Sequence, residues 1–247
     1  MVEGLVNLSG KSVLITGASA GIGKGVALQC AKLGAKCVVT ARNENRLQET
    51  FDSLEGDGHQ MIIADLTDFD KLSGVVSQLP KLDGIVHCAG VGQRIMCKFL
   101  EEANIDKVMN INFKAPVMLQ TEILKQKKIN KGASVVFIAS IAAESPSMGN
   151  AIYSASKGAL LSYSLCLKEE LAPRLIRVNC ISPAMVWTDL VLSDGISEEQ
   201  LKSDEQKYPL KRYGQPQDIA NLAAFLLSDA SSWMTGSNVN ITGGGIL

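Results

Sequence analysis

Tyr153 and Lys157 stand four residues apart in the stretch Tyr153-Ser154-Ala155-Ser156-Lys157. That spacing puts both side chains on one face of a helix. A phenol with an ordinary pKa near ~10 is a poor proton donor or acceptor at neutral pH. An ammonium beside it favours the phenolate and brings the group toward the working range of acid–base chemistry. Ser140 ends a β-branched run thirteen residues upstream, where its hydroxyl can bond a substrate oxygen. Asn112, in Asn110-Ile111-Asn112, lies on the long helical segment before that run.

A second group of residues suits a phosphate. The run Thr16-Gly17-Ala18-Ser19-Ala20-Gly21-Ile22-Gly23 joins a strand to a helix. Its glycines allow a tight turn and a close backbone approach to a pyrophosphate, and the helix that follows offers free N–H groups and a positive dipole end. The spacing is Gly-xxx-Gly-x-Gly rather than Gly-x-Gly-xx-Gly, and a strand–helix turn without a ligand is the plain alternative. An acid at the end of the second strand would bond the ribose 2′-hydroxyl of NAD. Here that strand ends Val38-Val39-Thr40-Ala41-Arg42, with no carboxylate before Glu44. Arg42 instead offers a planar fork that matches a 2′-phosphate, unless it is simply a solvated arginine. Asp65, closing the third strand, fits either an acceptor for an adenine amino group or a helix N-cap.

These residues need a scaffold, and the hydrophobic pattern supplies one. Strands are expected at Ser12–Thr16, Cys37–Ala41, Met61–Ala64, Gly84–Cys88, Ser134–Ala139, Arg177–Ile181 and Asn238–Ile241. Between them Ile22–Leu33, Glu44–Leu54, Phe69–Gln78, Ala103–Lys127, Ile152–Leu171 and Gln217–Leu227 have helical period. Strict alternation of strand and helix predicts crossover units and a parallel sheet covered on both faces. With no Pro/Gly/Ser-rich linker, residues 1–247 read as a single α/β domain. The stretch from Ser182 to Arg212 lacks a strand and carries the capping-box sequence Ser197-Glu198-Glu199-Gln200, so a substrate lid is expected over about 188–212.

Composition narrows the function. The 247 residues hold 24 Lys plus Arg against 25 Asp plus Glu, a net charge of -1, which argues against a nucleic-acid partner. No apolar run reaches the ~18 residues of a membrane span. The stretch Met1 to Lys11 does not read as a secretory leader, nor Gly243-Gly244-Gly245-Ile246-Leu247 as a targeting or prenyl signal. Six cysteines lie at 30, 37, 88, 97, 166 and 180 with no Cys-x-x-Cys pair. Those at 30, 37, 88, 166 and 180 sit in apolar stretches and read as buried, reduced thiols of a cytoplasmic protein. His59 and His87 are too isolated for a zinc site, and no metal is expected.

Taken together, Thr16–Gly23, the Ala89-Gly90 turn, Asn112, Ser140, Tyr153 with Lys157, Pro183-Ala184 and Thr188 resemble the short-chain dehydrogenase/reductase family along nearly the whole chain. The resemblance implies a doubly wound Rossmann-type fold with a seven-stranded parallel sheet and a nicotinamide cofactor, NADP(H) favoured over NAD(H) on account of Arg42. It implies that Tyr153 is the general acid/base, that Lys157 holds the ribose and tunes the tyrosine, that Ser140 orients the carbonyl, and that Asn112 holds a water of a proton relay. It places the cofactor against Gly17, Ser19, Ala20, Gly21, Ile22, Gly23, Arg42, Asp65, Leu66, Ala89, Gly90, Tyr153, Lys157, Pro183, Val186 and Thr188.

Two positions depart from the family. Its turn usually reads Asn-Asn-Ala-Gly, whereas here it is His87-Cys88-Ala89-Gly90. His87 is then either a titrating group near the nicotinamide or a core histidine. Ala184 follows Pro183 where glycine is common, so no left-handed backbone is expected there.

Within the family the chain is most similar to the 3-oxoacyl-acyl-carrier-protein reductases, through Pro209–Ala220, a stretch that subfamilies share widely. A sugar-alcohol, hydroxysteroid or general carbonyl reductase is the alternative, and a non-catalytic dinucleotide-binding regulator is a further one. The implied partners are a small or acyl-carrier-linked ketone and further copies of the chain, as a homotetramer or homodimer, with neither nucleic acid nor membrane. Gln93, Arg94, Met148, Met185, Trp187 and Leu190–Tyr208 are expected to set substrate choice. Lys125, Lys127, Lys128, Lys131 and Arg174 are either ordinary solvated charges, lysines at helix ends complementing the dipole, or a basic rim that docks an acidic carrier protein.

Overall fold

Among the described residues the β-branched and apolar runs form seven strands, β1 (Ser12–Thr16), β2 (Lys36–Ala41), β3 (Gln60–Ile63), β4 (Leu82–His87), β5 (Ile129–Ile138), β6 (Arg177–Pro183) and β7 (Asn238–Ile241). Between and after them run α1 (Gly21–Lys32), α2 (Glu44–Asp52), α3 (Leu72–Ser77), α4 (Glu102–Met109), α5 (Ala115–Lys125), α6 (Ala151–Leu171), α7 (Asp189–Leu192), α8 (Glu198–Glu205) and α9 (Pro216–Leu227). The structure, a computed structural model, describes residues 6–192 and 197–245. Residues 193–196 of the expected lid, and the outer parts of the two terminal stretches read above for targeting signals, lie outside the described residues.

The strands make one parallel sheet in the order β3-β2-β1-β4-β5-β6-β7. Alternate residues point to opposite faces, and each face has its own core. Val13, Ile15, Cys37, Val39, Val86, Val136 and Ile181 pack with Val26 and Ala27 of α1 and Ala220 and Ala223 of α9. Leu14, Val38, Ile85, Val135, Phe137 and Val178 pack with Val76 of α3, Ile123 of α5 and Leu160 and Leu167 of α6. Burial on both faces explains why the strands read as continuous apolar runs. The chain leaves β3 for the other side of β1 at β4, so the order reverses between β1 and β4. Ligands of such sheets bind in the crevice at the carboxyl ends of strands flanking that reversal.

Several expectations shift. Strand β5 begins at Ile129, five residues before the expected start, because Ile129 pairs with Leu82 ahead of an irregularity between Leu82 and Gly84. The expected helix over Ala103–Lys127 is α4, a π turn over Asn110–Lys114, and α5. The expected helix over Phe69–Gln78 opens as a 3-10 turn at Phe69–Lys71 before α3. Ser197 caps α8 through the Gln200 amide as its capping-box sequence foretells, but α7 and the bridge pairing Val186 with Gly214 carry no such signature. Among the described residues no helix is long and apolar enough to cross a membrane.

Candidate active site

The carboxyl ends of β1 and β4 open into a cleft of about 1290 Å³. A single small ligand usually fills ~300–1,000 Å³, so this cleft has room for a dinucleotide and a second molecule. Its floor is the glycine loop. Gly17 has φ +66°, and a Cβ there would stand 2.8 Å from the Ala89 Cα. At Gly23 a Cβ would meet the Gly17 carbonyl oxygen at 2.2 Å, so α1 can approach β1 only without a side chain there. The N-cap of α1 is Ala20, which makes no side-chain cap, so the first N–H groups of the helix have no capping side chain from that position. A cradle this tight, ending in uncapped helix donors, fits a pyrophosphate. Thr16 holds the opposite wall, its Oγ1 accepting from the backbone N–H groups of Cys88 at 3.0 Å and Ala89 at 3.1 Å.

Charged groups line one end of the cleft. Arg42, just after β2, forms a 3.7 Å ion pair with Asp65. The Asp65 Oδ1 also accepts from the Thr67 backbone at 2.9 Å and from the Thr67 hydroxyl at 2.6 Å. Partial burial acts to raise the Asp65 carboxyl, but the Thr67 hydrogen bonds and the Arg42 charge outweigh it and hold the group below the ordinary carboxylate range. Asp65 therefore closes a local turn, not a helix N-cap, since the next helical turn is preceded by Asp68. Arg46 lines the same end and pairs with Asp189 at the start of α7.

At the other end α6 presents Tyr153 and, one turn on, Lys157. The Lys157 Nζ lies 5.8 Å from the centroid of the Tyr153 ring and donates to the Ile138 carbonyl at 2.8 Å. Burial pulls the Lys157 ammonium down to about 8. Ser140, two residues past β5, lines the same cleft, its Oγ accepting from the Ala142 backbone at 3.1 Å. Asn112 sits in the π turn, fully buried. Its Oδ1 accepts from the Val91 N–H at 2.8 Å, and its Nδ2 donates to the Val91 carbonyl at 2.9 Å and the Ser156 Oγ at 3.1 Å. Its side chain thus grips the segment after the Ala89-Gly90 turn from behind.

The cleft brings together all sixteen residues expected to touch a cofactor, with Ser140. Asn112 stands outside the lining, one layer back. Arg46, Ser145 and Asn150 also line it, and nothing in the sequence singled them out. Of the residues expected to choose a substrate, Gln93, Arg94 and Met185 line it, as do Leu190, Gln200, Asp204 and Tyr208 of the Leu190–Tyr208 stretch, whereas Met148 and Trp187 do not. Met148 is exposed, and the Trp187 indole donates to Glu205 at 2.5 Å, tying α8 to the segment after β6.

His87 is a core histidine. It stacks on Phe137 at 4.7 Å and meets the Gln120 Oε1 through Nε2 at 3.1 Å, and burial pulls it down to about 4. Cys30, Cys37 and Cys180 are buried, but Cys166 is exposed, contrary to expectation, because it lies on a face of α6 turned from the sheet.

The expected basic rim fails within one chain. Lys128 donates to the Ser77 and Leu79 carbonyls, and Arg174 to the Ile129 carbonyl. Lys128 immediately precedes β5 and the Arg174 side chain reaches its first residue, ten residues and ~30 Å from the Ile138 end at the cleft.

A family model described as enoyl-(acyl carrier protein) reductase matches residues 17–245. A 3-oxoacyl-acyl-carrier-protein reductase of Rickettsia felis is 36% identical over 240 residues, 97% of this chain and 98% of that protein. Dehydrogenase/reductase SDR family member 4 of Homo sapiens is 32% identical over 244 residues, 96% of this chain and 88% of that protein. The solved structure of a short-chain dehydrogenase/reductase from Brucella melitensis, titled a glucose/ribitol dehydrogenase, superposes with a TM-score of 0.91 at 29% identity, covering 98% of this chain and 99% of that one.

Proposed function

The chain belongs to the short-chain dehydrogenase/reductase family of oxidoreductases, and from that premise we propose that it reduces a 3-oxoacyl thioester to the 3-hydroxy compound with NADPH. The observation that carries the reading is the meeting of Ser140, Tyr153 and Lys157 in the cleft that the glycine loop floors. When bound, a reduced nicotinamide supplies the hydride. The Ser140 hydroxyl orients the substrate carbonyl, and Tyr153 delivers the proton to its oxygen. Lys157 holds the ribose, and its charge favours the phenolate that remains after transfer. The Asn112 side chain, already committed to Val91 and Ser156, acts as a positioning group for the turn over the cleft. In this reading residues 1–247 are one catalytic domain, the described residues of the 188–212 stretch cover the substrate, and the free thiols suit a cytoplasmic location.

The names of relatives and the Arg42 fork support the finer choices of substrate and cofactor. A general carbonyl reductase is the second reading, and the placement of Lys128 and Arg174 away from this chain's cleft favours it. Assaying NADPH oxidation with a 3-oxoacyl thioester on carrier protein, with the same acyl group on a small thiol, and with a panel of plain ketones separates the two. A preference for the carrier-linked substrate supports the first reading. Equal use of simple ketones supports the second, and no turnover of any of them removes both.

Cofactor choice is tested at Arg42. Charge-assisted hydrogen bonds contribute ~1.5–3 kcal/mol, so Arg42→Ala should cut the NADPH-over-NADH ratio of kcat/KM by roughly 10- to 100-fold. A wild type that prefers NADH, or a variant that keeps its NADPH preference, would remove the assignment.

Assembly follows from the helices beyond the sheet. On α6 Leu165 is 49% exposed and Cys166 is exposed, and on α4 Ile105 is 39% exposed. We assign these residues to contacts between copies in a homotetramer, or at the least a homodimer. Light scattering at micromolar concentration should give the mass of four chains or two; the mass of one chain would contradict the assignment.

A further inference from the structure

We infer that Arg46 is a second reader of the cofactor 2′-phosphate, kept by Asp189 until that phosphate arrives and surrendered to it. The inference rests on the NADP(H) reading above and extends it to a residue that the sequence did not single out.

The placement of Arg46 carries the argument. Asn43 caps α2 by accepting from the Arg46 backbone at 3.0 Å, so Arg46 stands in the first turn of that helix. Helical side chains lean back toward the helix N-terminus, which here means toward Asn43 and Arg42, and all three residues line one end of the cleft. Two guanidinium groups therefore face the position where Arg42 alone was expected to bind a phosphate. Each is matched by a carboxylate, Arg42 by Asp65 and Arg46 by Asp189. A phosphate arriving there finds two cations whose charge is already cancelled.

Asp189 is the partner more easily given up. It is 64% exposed and Arg46 48%, and ion pairs so open to water add little stability. Asp65, by contrast, is anchored by two hydrogen bonds from Thr67. A phosphate monoester carries up to two negative charges and three acceptor oxygens, so it outcompetes a single exposed carboxylate for a planar fork.

Asp189 also sits where a cofactor would pass. It follows Thr188, whose Cγ2 would stand 3.0 Å from a Cβ at Gly21 of the glycine loop. The Arg46–Asp189 pair thus reaches from the α2 wall to the α7 wall beside the pyrophosphate cradle. A dinucleotide with a 2′-phosphate breaks this pair, and one without it leaves the pair closed.

Titration of NADP⁺ and NAD⁺ into wild type, Asp189→Asn, Arg46→Ala and the double variant tests the exchange, with Arg42→Ala in parallel. Asp189→Asn removes the competitor and should tighten NADP⁺ by about threefold to fivefold, with NAD⁺ unchanged within about twofold. Arg46→Ala should weaken NADP⁺ by about tenfold, again sparing NAD⁺. In the Arg46→Ala background, Asp189→Asn should then have no further effect. An unchanged NADP⁺ affinity in Asp189→Asn overturns the inference. So does an equal change for both dinucleotides, which would make the pair a general closure, and so does a gain that persists without Arg46. If wild type prefers NADP⁺ and Arg42→Ala abolishes that preference while changes at Arg46 and Asp189 do nothing, only the exchange fails. If wild type binds NAD⁺ at least as tightly as NADP⁺, the NADP(H) reading itself fails and takes the exchange with it.

Discussion

Tyr153→Phe should lower kcat by roughly 10²- to 10⁴-fold, the usual contribution of a positioned proton donor. The same change should leave the dissociation constant for NADPH within about twofold. The variant keeps the ring that Lys157 approaches at 5.8 Å and removes one oxygen. Phenylalanine fits wherever tyrosine does, so neither α6 nor the cleft has reason to move. Steady-state turnover with fluorescence titration of NADPH checks both halves of the expectation. Activity near that of wild type would take the proton-delivering role from Tyr153, and loss of cofactor binding along with turnover would make the residue structural.

Lys157→Met should remove turnover and weaken cofactor binding together, and it should leave a mark on stability as well. In the folded protein burial pulls the Lys157 ammonium from 10.5 to about 8. In the unfolded chain it titrates normally, so between about pH 8 and 10.5 the unfolded state binds more protons, and this lysine makes stability rise with pH. Below about pH 8 both states carry the proton and the burial penalty is paid in full; above 10.5 neither does and the penalty is gone. The shift corresponds to roughly 3 kcal/mol. Denaturant unfolding of the cofactor-free protein should therefore show wild type gaining about that much on Lys157→Met between pH 8 and 10.5, since other titrations are shared by the two. Parallel pH profiles would show that the ammonium keeps its hydration and is not buried in the working protein.

The residues that do chemistry were legible because covalent spacing fixes them. Tyr153 and Lys157 share a helical face wherever the helix goes, and Thr16–Gly23 must turn tightly whatever packs on it. The parallel sheet was legible because strands covered on both sides alternate between two cores and stay apolar at each position, as Val13, Leu14 and Ile15 do. What escaped depends on contacts distant in sequence. Arg46 matters because α7 brings Asp189 across from 143 residues away, and nothing local to α2 announces that. The early start of β5 depends on Leu82 of a neighbouring strand. Cys166 looked buried because its neighbours are apolar, but α6 has one face on the sheet and another turned away from it. The error over Lys128 and Arg174 is one of direction. Chain just before a parallel strand lies at the amino edge, so Lys128, preceding Ile129, was always at the far end from Ser140, which follows Ile138.

The matched charges around Arg42 and Arg46 also bear on encounter rates. Seen from more than a Debye length, about 8 Å at physiological salt, two guanidinium groups and two carboxylates nearly cancel. This end of the cleft therefore draws in an anion only weakly, and diffusion delivers the ligand without much electrostatic steering. Selectivity arises after contact, when the fork of a guanidinium meets a phosphate at hydrogen-bonding range. Added salt should then change how long a phosphorylated dinucleotide stays far more than how often it arrives.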